Sequence, residues 1–382
     1  MSWIRSTIYF VILSFILFEL SSFVATKMNL FLVNSTPSIY KKFQNMENIF
    51  QGMTERDEWG AWHAKNSTYW HSSSCFDIIM SFNEVGARDK SFLNLPDDSI
   101  ILLGDSFAEG YGVSENKTSQ YLIEAGLSTP ILNFGTSGNF GPLQELLLYK
   151  HFLKIPHQGL IIYVLPHNDF TDNDTTIWSK IDKKRYRPYF SKQGDPLIPY
   201  YFPTAIPQDK FFNHQLGYFK HFIIDHFWTA NALRTFLMLM RGKSIIKYNG
   251  NDNKLVQSYF FDANQTQQDN LIMAYEEILN LAKDKDVLFV IIPSQNDIIR
   301  WKKENKNNAY KKQSWYKNFI SFQERPHQRV SILNLMDYLP LHTEKLFFSC
   351  DSHWSPFGNA WASKIILHHL HSHGLFQVPS KK

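Results

Sequence analysis

Ser99-Ile100-Ile101-Leu102-Leu103-Gly104-Asp105-Ser106-Phe107 is the stretch from which the fold can be read. Four consecutive large aliphatic residues leave no polar face, so the run suits a strand covered on both sides. Gly104 ends it, and a carboxylate and a hydroxyl follow at once. Four further runs have the same form: Pro130 to Phe134, Gly159 to Leu165, Asp286 to Ile292 and Val330 to Leu335. Gly135 follows the second, Pro166 the third and Pro293 the fourth. Helical stretches lie between them. Pro142 to Leu153 opens on proline and carries a stripe of Leu143, Leu146 and Leu147. Leu271 to Lys283 sets Ile272, Tyr275, Leu279 and Ala282 to one side, and Ser355-Pro356 opens a last helix running to about His371. Strand–helix alternation predicts an α/β, three-layer sandwich with a mostly parallel central sheet and right-handed crossovers.

Outside this core the sequence changes character. Ser6 to Ala25 is apolar except for Glu19, and its length suits a bilayer core. Phe23-Val24-Ala25 is a poor cleavage site, so residues 1–28 are expected to be a transmembrane anchor rather than a removed signal. Arg5 favours a cytoplasmic start and an extracytoplasmic remainder, periplasmic in a Gram-negative bacterium. Residues 29–96 form an entry region with a turn at Phe82 to Gly86. Residues 97–375 form the main domain. Residues 171–260 interrupt the alternation with a Tyr-, Phe- and Pro-rich insertion, expected to be a cap beside the site. Within it, Tyr186 to Phe202 suggests a hairpin. Tyr218 to Met240 suggests a helix packed on the sheet or lying on a membrane surface; Lys220, Asp225 and Arg234 argue against a second span.

The composition, 44% hydrophobic and 19% charged over 382 residues, excludes a disordered chain. A net charge of +4 without a basic run gives nucleic acid no footprint. Cys75 and Cys350 have no metal-type spacing, and whether they pair is left open. The His368, His369, His371 and His373 group matches no closed ligand set and is expected, like His167, to be surface or loop.

In an open α/β sheet, ligands gather outside the carboxyl ends of the strands. The residues just beyond each strand are therefore the test. The first strand leads into Gly104-Asp105-Ser106, the second into Gly135-Thr136-Ser137-Gly138, and the third into His167-Asn168-Asp169. After the fifth, ahead of the last helix, comes Asp351-Ser352-His353-Trp354. Acyl transfer needs this set. Ser106 is a weak nucleophile until His353 takes its proton, and Asp351 orients the imidazole. The Ser106 and Gly138 amides and the Asn168 side chain are candidate donors to an oxyanion.

These blocks resemble the SGNH (GDSL-like) hydrolase superfamily. Gly104-Asp105-Ser106-Phe107 looks like its nucleophile block, and Asn133 to Gly138 like the block with the oxyanion glycine. Asn168-Asp169 looks like the block with the oxyanion asparagine, and Asp351 with His353 like the last. The similarity covers roughly residues 97–170 and 270–375. Pro166 stands where the family has glycine, and Asp-x-His-Trp replaces Asp-x-x-His. That shorter form resembles membrane-anchored bacterial members, including relatives of the alginate acetylation proteins. The resemblance implies a flavodoxin-like sandwich and cofactor-free ester chemistry. The expected substrate is an acyl ester, foremost an O-acyl group on an extracytoplasmic glycan. An acyltransferase using the same acyl-serine, and an inactive carbohydrate-binding protein, stay open as alternatives.

Overall fold

A computed structural model describes residues 2–28, 58–60, 62–72, 75–138, 140–178, 187–190, 227–240, 257–304, 309–349 and 351–376. Its centre is a five-stranded sheet of β3 (Ile100–Leu103), β4 (Ile131–Asn133), β5 (Gly159–Val164), β6 (Asp286–Ile291) and β7 (Val330–Asn334). The spatial order is β4-β3-β5-β6-β7, and every neighbouring pair is parallel. Chain order therefore reverses at β3, and the crevice between the carboxyl ends of β3 and β5 is the switch point where such sheets bind ligands. The strands are buried on both faces, which explains why they are continuous apolar runs.

Twelve helices are described: α1 (Ser2–Lys27), α2 (Ser106–Glu109), α3 (Ser119–Leu127), α4 (Pro142–Phe152), α5 (Pro166–Asp172), α6 (Thr175–Trp178), α7 (Trp228–Met240), α8 (Tyr259–Asp262), α9 (Gln265–Ala282), α10 (Gln295–Glu304), α11 (Ser314–Ser321) and α12 (Pro356–His373). α4, α9 and α11 cover one face of the sheet, where Phe289 of β6 meets Tyr275 and Phe319 edge-on. α3 and α12 pack together on the other, where Tyr163 donates to Ser119 and Ser331 bonds His369. The result is the expected three-layer α/β sandwich. Local signals set the helix ends: Asn264 accepts the amide of Gln267 to cap α9, and Ser355 accepts the amide of Gly358 ahead of Pro356 to cap α12.

The entry region holds an antiparallel pair, β1 (Thr68–Ser72) and β2 (Asp77–Ser81). The turn expected at Phe82 to Gly86 is present, with Asn83 accepting the amides of Val85 and Ala87. Two expectations need amendment. Of the stretch Tyr218 to Met240, the described helix begins at Trp228 and packs on α1, not on the sheet. Of the histidine group, all on α12, His368, His371 and His373 are exposed as expected, whereas His369 is buried with its ring bonded to Ser331 of β7. The hairpin at Tyr186 to Phe202 and most of the insertion fall outside the described residues. α1 supplies one helix, Trp3–Thr26, long and apolar enough to cross a membrane.

Candidate active site

Ser106 is the first residue of α2, immediately beyond β3, and it is buried. Asp105 caps this helix, accepting the Phe107 amide at 2.9 Å. At the first helical position the Ser106 amide has no acceptor within the helix. The other oxygen of Asp105 accepts from Asn168 Nδ2 at 2.9 Å, which ties the end of β3 to the start of α5. Asp169 stabilises that start by accepting the Leu165 amide at 2.8 Å and the Tyr275 hydroxyl at 3.2 Å. Pro166 fits as the first residue of α5, where its missing N–H costs nothing.

The loop after β4 closes against α2 from the other side. Asn133 Nδ2 donates to the Ala108 carbonyl at 3.1 Å. Gly135 runs so near α2 that a Cβ there would lie 2.1 Å from the Glu109 nitrogen; only glycine fits. Gly138 has φ of +99°, a conformation that side chains resist.

His353 reaches Ser106 from a separate loop. Its Nε2 lies 2.7 Å from Ser106 Oγ, and its Nδ1 is bonded to Asp351 Oδ1, which also accepts the His353 amide at 2.8 Å. Burial alone would raise the Asp351 carboxyl; the hydrogen bonds and charge of His353 outweigh it and hold the group below its ordinary range. Trp354 anchors this loop. It is buried edge-on to Phe107 at 5.0 Å and Tyr163 at 6.0 Å. A backbone bridge pairs it with Phe347, and Phe348 donates to the His353 carbonyl at 3.0 Å.

Several residues of the site had no signal in the sequence. The imidazole of His353 lies between the rings of Phe107 and Tyr111, at 5.3 and 4.2 Å. Tyr111 is met edge-on by His71 and Phe76 of the entry region, and Phe76 packs on Phe348. The entry region thus walls the imidazole. It also clamps α2: buried Arg88 donates to the carbonyls of Glu109, Gly110 and Val113, and His63 pairs with buried Glu109 at 2.9 Å. Their roles depend on how the entry region folds against α2 and Tyr111, which periodicity and motif spacing do not encode.

Burial raises the carboxyls of Asp105, Glu145 and Asp169 from their ordinary values, and neighbouring carboxylates add to the rise in each. His71 is held down to about 4, first by burial, with the charge of Arg88 adding to it against Glu109. Its ring is therefore neutral near pH 7. Among the described residues, no group of three or more His, Cys, Asp or Glu side chains is set to hold a metal ion.

Of the residues singled out from sequence, Ser106, His353 and Asp351 come together as one hydrogen-bonded chain. Asn168 adjoins them through Asp105, and Gly138 lies in the loop beyond β4, the strand next to β3. Cys75 is disulfide-bonded; Cys350 falls outside the described residues.

No protein-family model and no curated protein sequence matches this chain. Solved structures do. The lipase/acylhydrolase from Enterococcus faecalis is 12% identical, with 72% of this chain and 96% of that chain covered and a TM-score of 0.35. The salicylyl-acyltransferase SsfX3 from a tetracycline biosynthetic pathway is 12% identical over 75% of this chain and 57% of its own, with a TM-score of 0.36. An acetyl xylan esterase from the rumen bacterium Butyrivibrio proteoclasticus is 10% identical over 75% and 66%, with a TM-score of 0.32.

Proposed function

We propose that this chain is a serine esterase that removes acyl groups from an extracytoplasmic glycan while anchored to the membrane by α1. The observation that carries the reading is the chain Ser106 Oγ, His353 Nε2, His353 Nδ1, Asp351 Oδ1. Ser106 Oγ attacks the ester carbonyl as its proton passes to His353 Nε2, and Asp351 stabilises the imidazolium. The oxyanion is received by the Ser106 and Gly138 amides and the second N–H of Asn168. Collapse of the intermediate breaks the C–O bond, and the leaving alkoxide takes the proton from His353. Water, deprotonated by the same imidazole, then releases the acid and restores Ser106.

Two observations support an extracytoplasmic place for the site. Arg5 lies at the amino-terminal end of the α1 span. Cys75 is disulfide-bonded, as suits an oxidising compartment. The glycan is the substrate class that fits an anchored enzyme rich in aromatic residues, which make up 16% of the chain.

The test is to treat the full-length protein in detergent with a fluorophosphonate probe beside Ser106→Ala, and then to assay acetate release from O-acetylated xylan and O-acetylated chito-oligosaccharides. Labelling lost in the variant, with acetate released by the wild type, is the expected result. A folded wild type that takes no label would overturn the serine mechanism. Acyl groups appearing on added sugar instead of in water would convert the esterase into a transferase using the same serine.

A further inference from the structure

Glu19 is the one charge between Ser6 and Ala25. A lone carboxylate in an apolar span is costly, and such residues find partners. Glu19 is buried, and its partner is α7. Its two oxygens accept the amides of Trp228 at 2.5 Å and Thr229 at 3.0 Å. These amides belong to the first turn of α7, which has no acceptors of its own and carries the positive end of the helix dipole. One carboxylate therefore satisfies both donors while its own charge is offset. Around this joint, Phe15 meets Phe227 edge-on at 5.4 Å and Phe23 meets Trp228 at 5.6 Å. Ser22 Oγ donates to Thr229 Oγ1 at 3.4 Å. These contacts join α1 to a part of the chain more than 200 residues away.

The rest of α7 has two faces. Trp228 and Ala232, one turn apart, are buried; Leu233, Phe236 and Leu237 are 57, 50 and 46% exposed. Positions i, i+3 and i+4 form one stripe, so the exposed face is continuously apolar. Thirteen residues reach about 20 Å, short of the roughly 30 Å hydrocarbon core, so α7 does not span a bilayer. Glu19 lies about 10 Å along the helix from Thr26, where the apolar span ends. That is the depth at which in-plane amphipathic helices rest, between headgroups and acyl chains.

We infer that α7 is an interfacial helix lying in the same bilayer that α1 crosses, in the leaflet on the side of the catalytic domain. Leu233, Phe236 and Leu237 face the acyl chains, and Glu19 fixes the depth. The inference rests on the anchor part of the proposed function and is independent of the serine chemistry. It gives the enzyme two attachments, one across the membrane and one along it. Together they hold the chain in one orientation, where α1 alone would let it swivel.

Nitroxide labels at Leu13→Cys, Leu237→Cys and Tyr121→Cys of the full-length protein, in phosphatidylethanolamine–phosphatidylglycerol vesicles, test this by collision with oxygen and with an aqueous nickel complex. The unsubstituted chain serves as the labelling background. The expected result is oxygen-dominated relaxation at 13 and 237 and nickel-dominated relaxation at 121. Nickel dominance at 237 with oxygen dominance at 13 would overturn the interfacial helix and leave the anchor standing. Nickel dominance at all three would overturn both. A label at 237 shielded from both agents would mean that the stripe packs against protein, and lipid contact would be overturned. Adding Glu19→Leu is expected to move 237 toward nickel without changing 13; an unchanged 237 would overturn the role of Glu19.

Discussion

Ser106 and His353 meet at 2.7 Å, but opposite means hold them there. Ser106 is placed by backbone. It follows a strand paired on both sides, begins a capped helical turn, and stands on a helix whose end is gripped through three carbonyls by Arg88. His353 stands on no strand or helix. Apart from one backbone bridge, Phe347 with Trp354, it is held by packing: Trp354 wedged against Phe107 and Tyr163, the rings of Phe107 and Tyr111 against the imidazole, and Asp351 bonded to it. Backbone hydrogen bonds tolerate side-chain changes nearby, whereas a packed loop does not. The nucleophile should therefore keep its position through substitutions that displace the base.

Asp351→Asn attacks the held base most directly. It is expected to lower kcat on a chromogenic acetate ester about 10⁴-fold, through loss of the correct tautomer, with little change in Tm. A loss under about tenfold would show that packing alone orients His353. Trp354→Ala breaks the wedge and should cost about 3–5 kcal/mol in urea unfolding. It should also slow fluorophosphonate labelling by about 10²-fold, the penalty for a displaced catalytic group. Unslowed labelling would mean that the loop is not held by Trp354. Asn168→Ala tests the backbone-held side. It is expected to lower kcat about 10²–10³-fold with KM nearly constant, as befits a donor used in the transition state. A change confined to KM would place Asn168 in ground-state binding.

The smallest effect concerns the wall behind Tyr111. His71, held down to about 4, is neutral in the fold but takes a proton near pH 6.5 when unfolded. The unfolded chain therefore binds more protons between pH 6.5 and 4. Stability is fully present above 6.5 and is lost as pH falls through that window, by about 3 kcal/mol at most. His71→Phe keeps the ring contacts and should flatten the fall of Tm over this range. Parallel wild-type and variant profiles would assign the acid sensitivity elsewhere.

The same contrast explains what could be read from sequence. Ile100 to Leu103 and its four counterparts are local statements, since a strand buried on both faces must be apolar throughout. The strand-end clusters were legible because parallel topology brings carboxyl ends to one edge. Arg88, His71 and Tyr111 were not, because their roles depend on how the entry region folds back across the sheet, and no periodicity encodes that. For α7 the sequence left two seats open, for a related reason. An apolar helical stripe fits a sheet or another helix equally well, and what decides between them is Glu19, more than 200 residues away.

The bond between Ser106 and His353 joins residues 247 positions apart, one just after the first strand of the main sheet and the other just before α12. A chain made from its amino end delivers the anchor first and the nucleophile long before the base. Ser106 then waits as an ordinary hydroxyl while most of the remaining polypeptide is built. Contacts of such separation form late in folding. On the proposed function, activity is thus an all-or-none signal of completion: a nascent or carboxyl-truncated chain could be seated in the membrane, with its serine in place, and still be chemically silent.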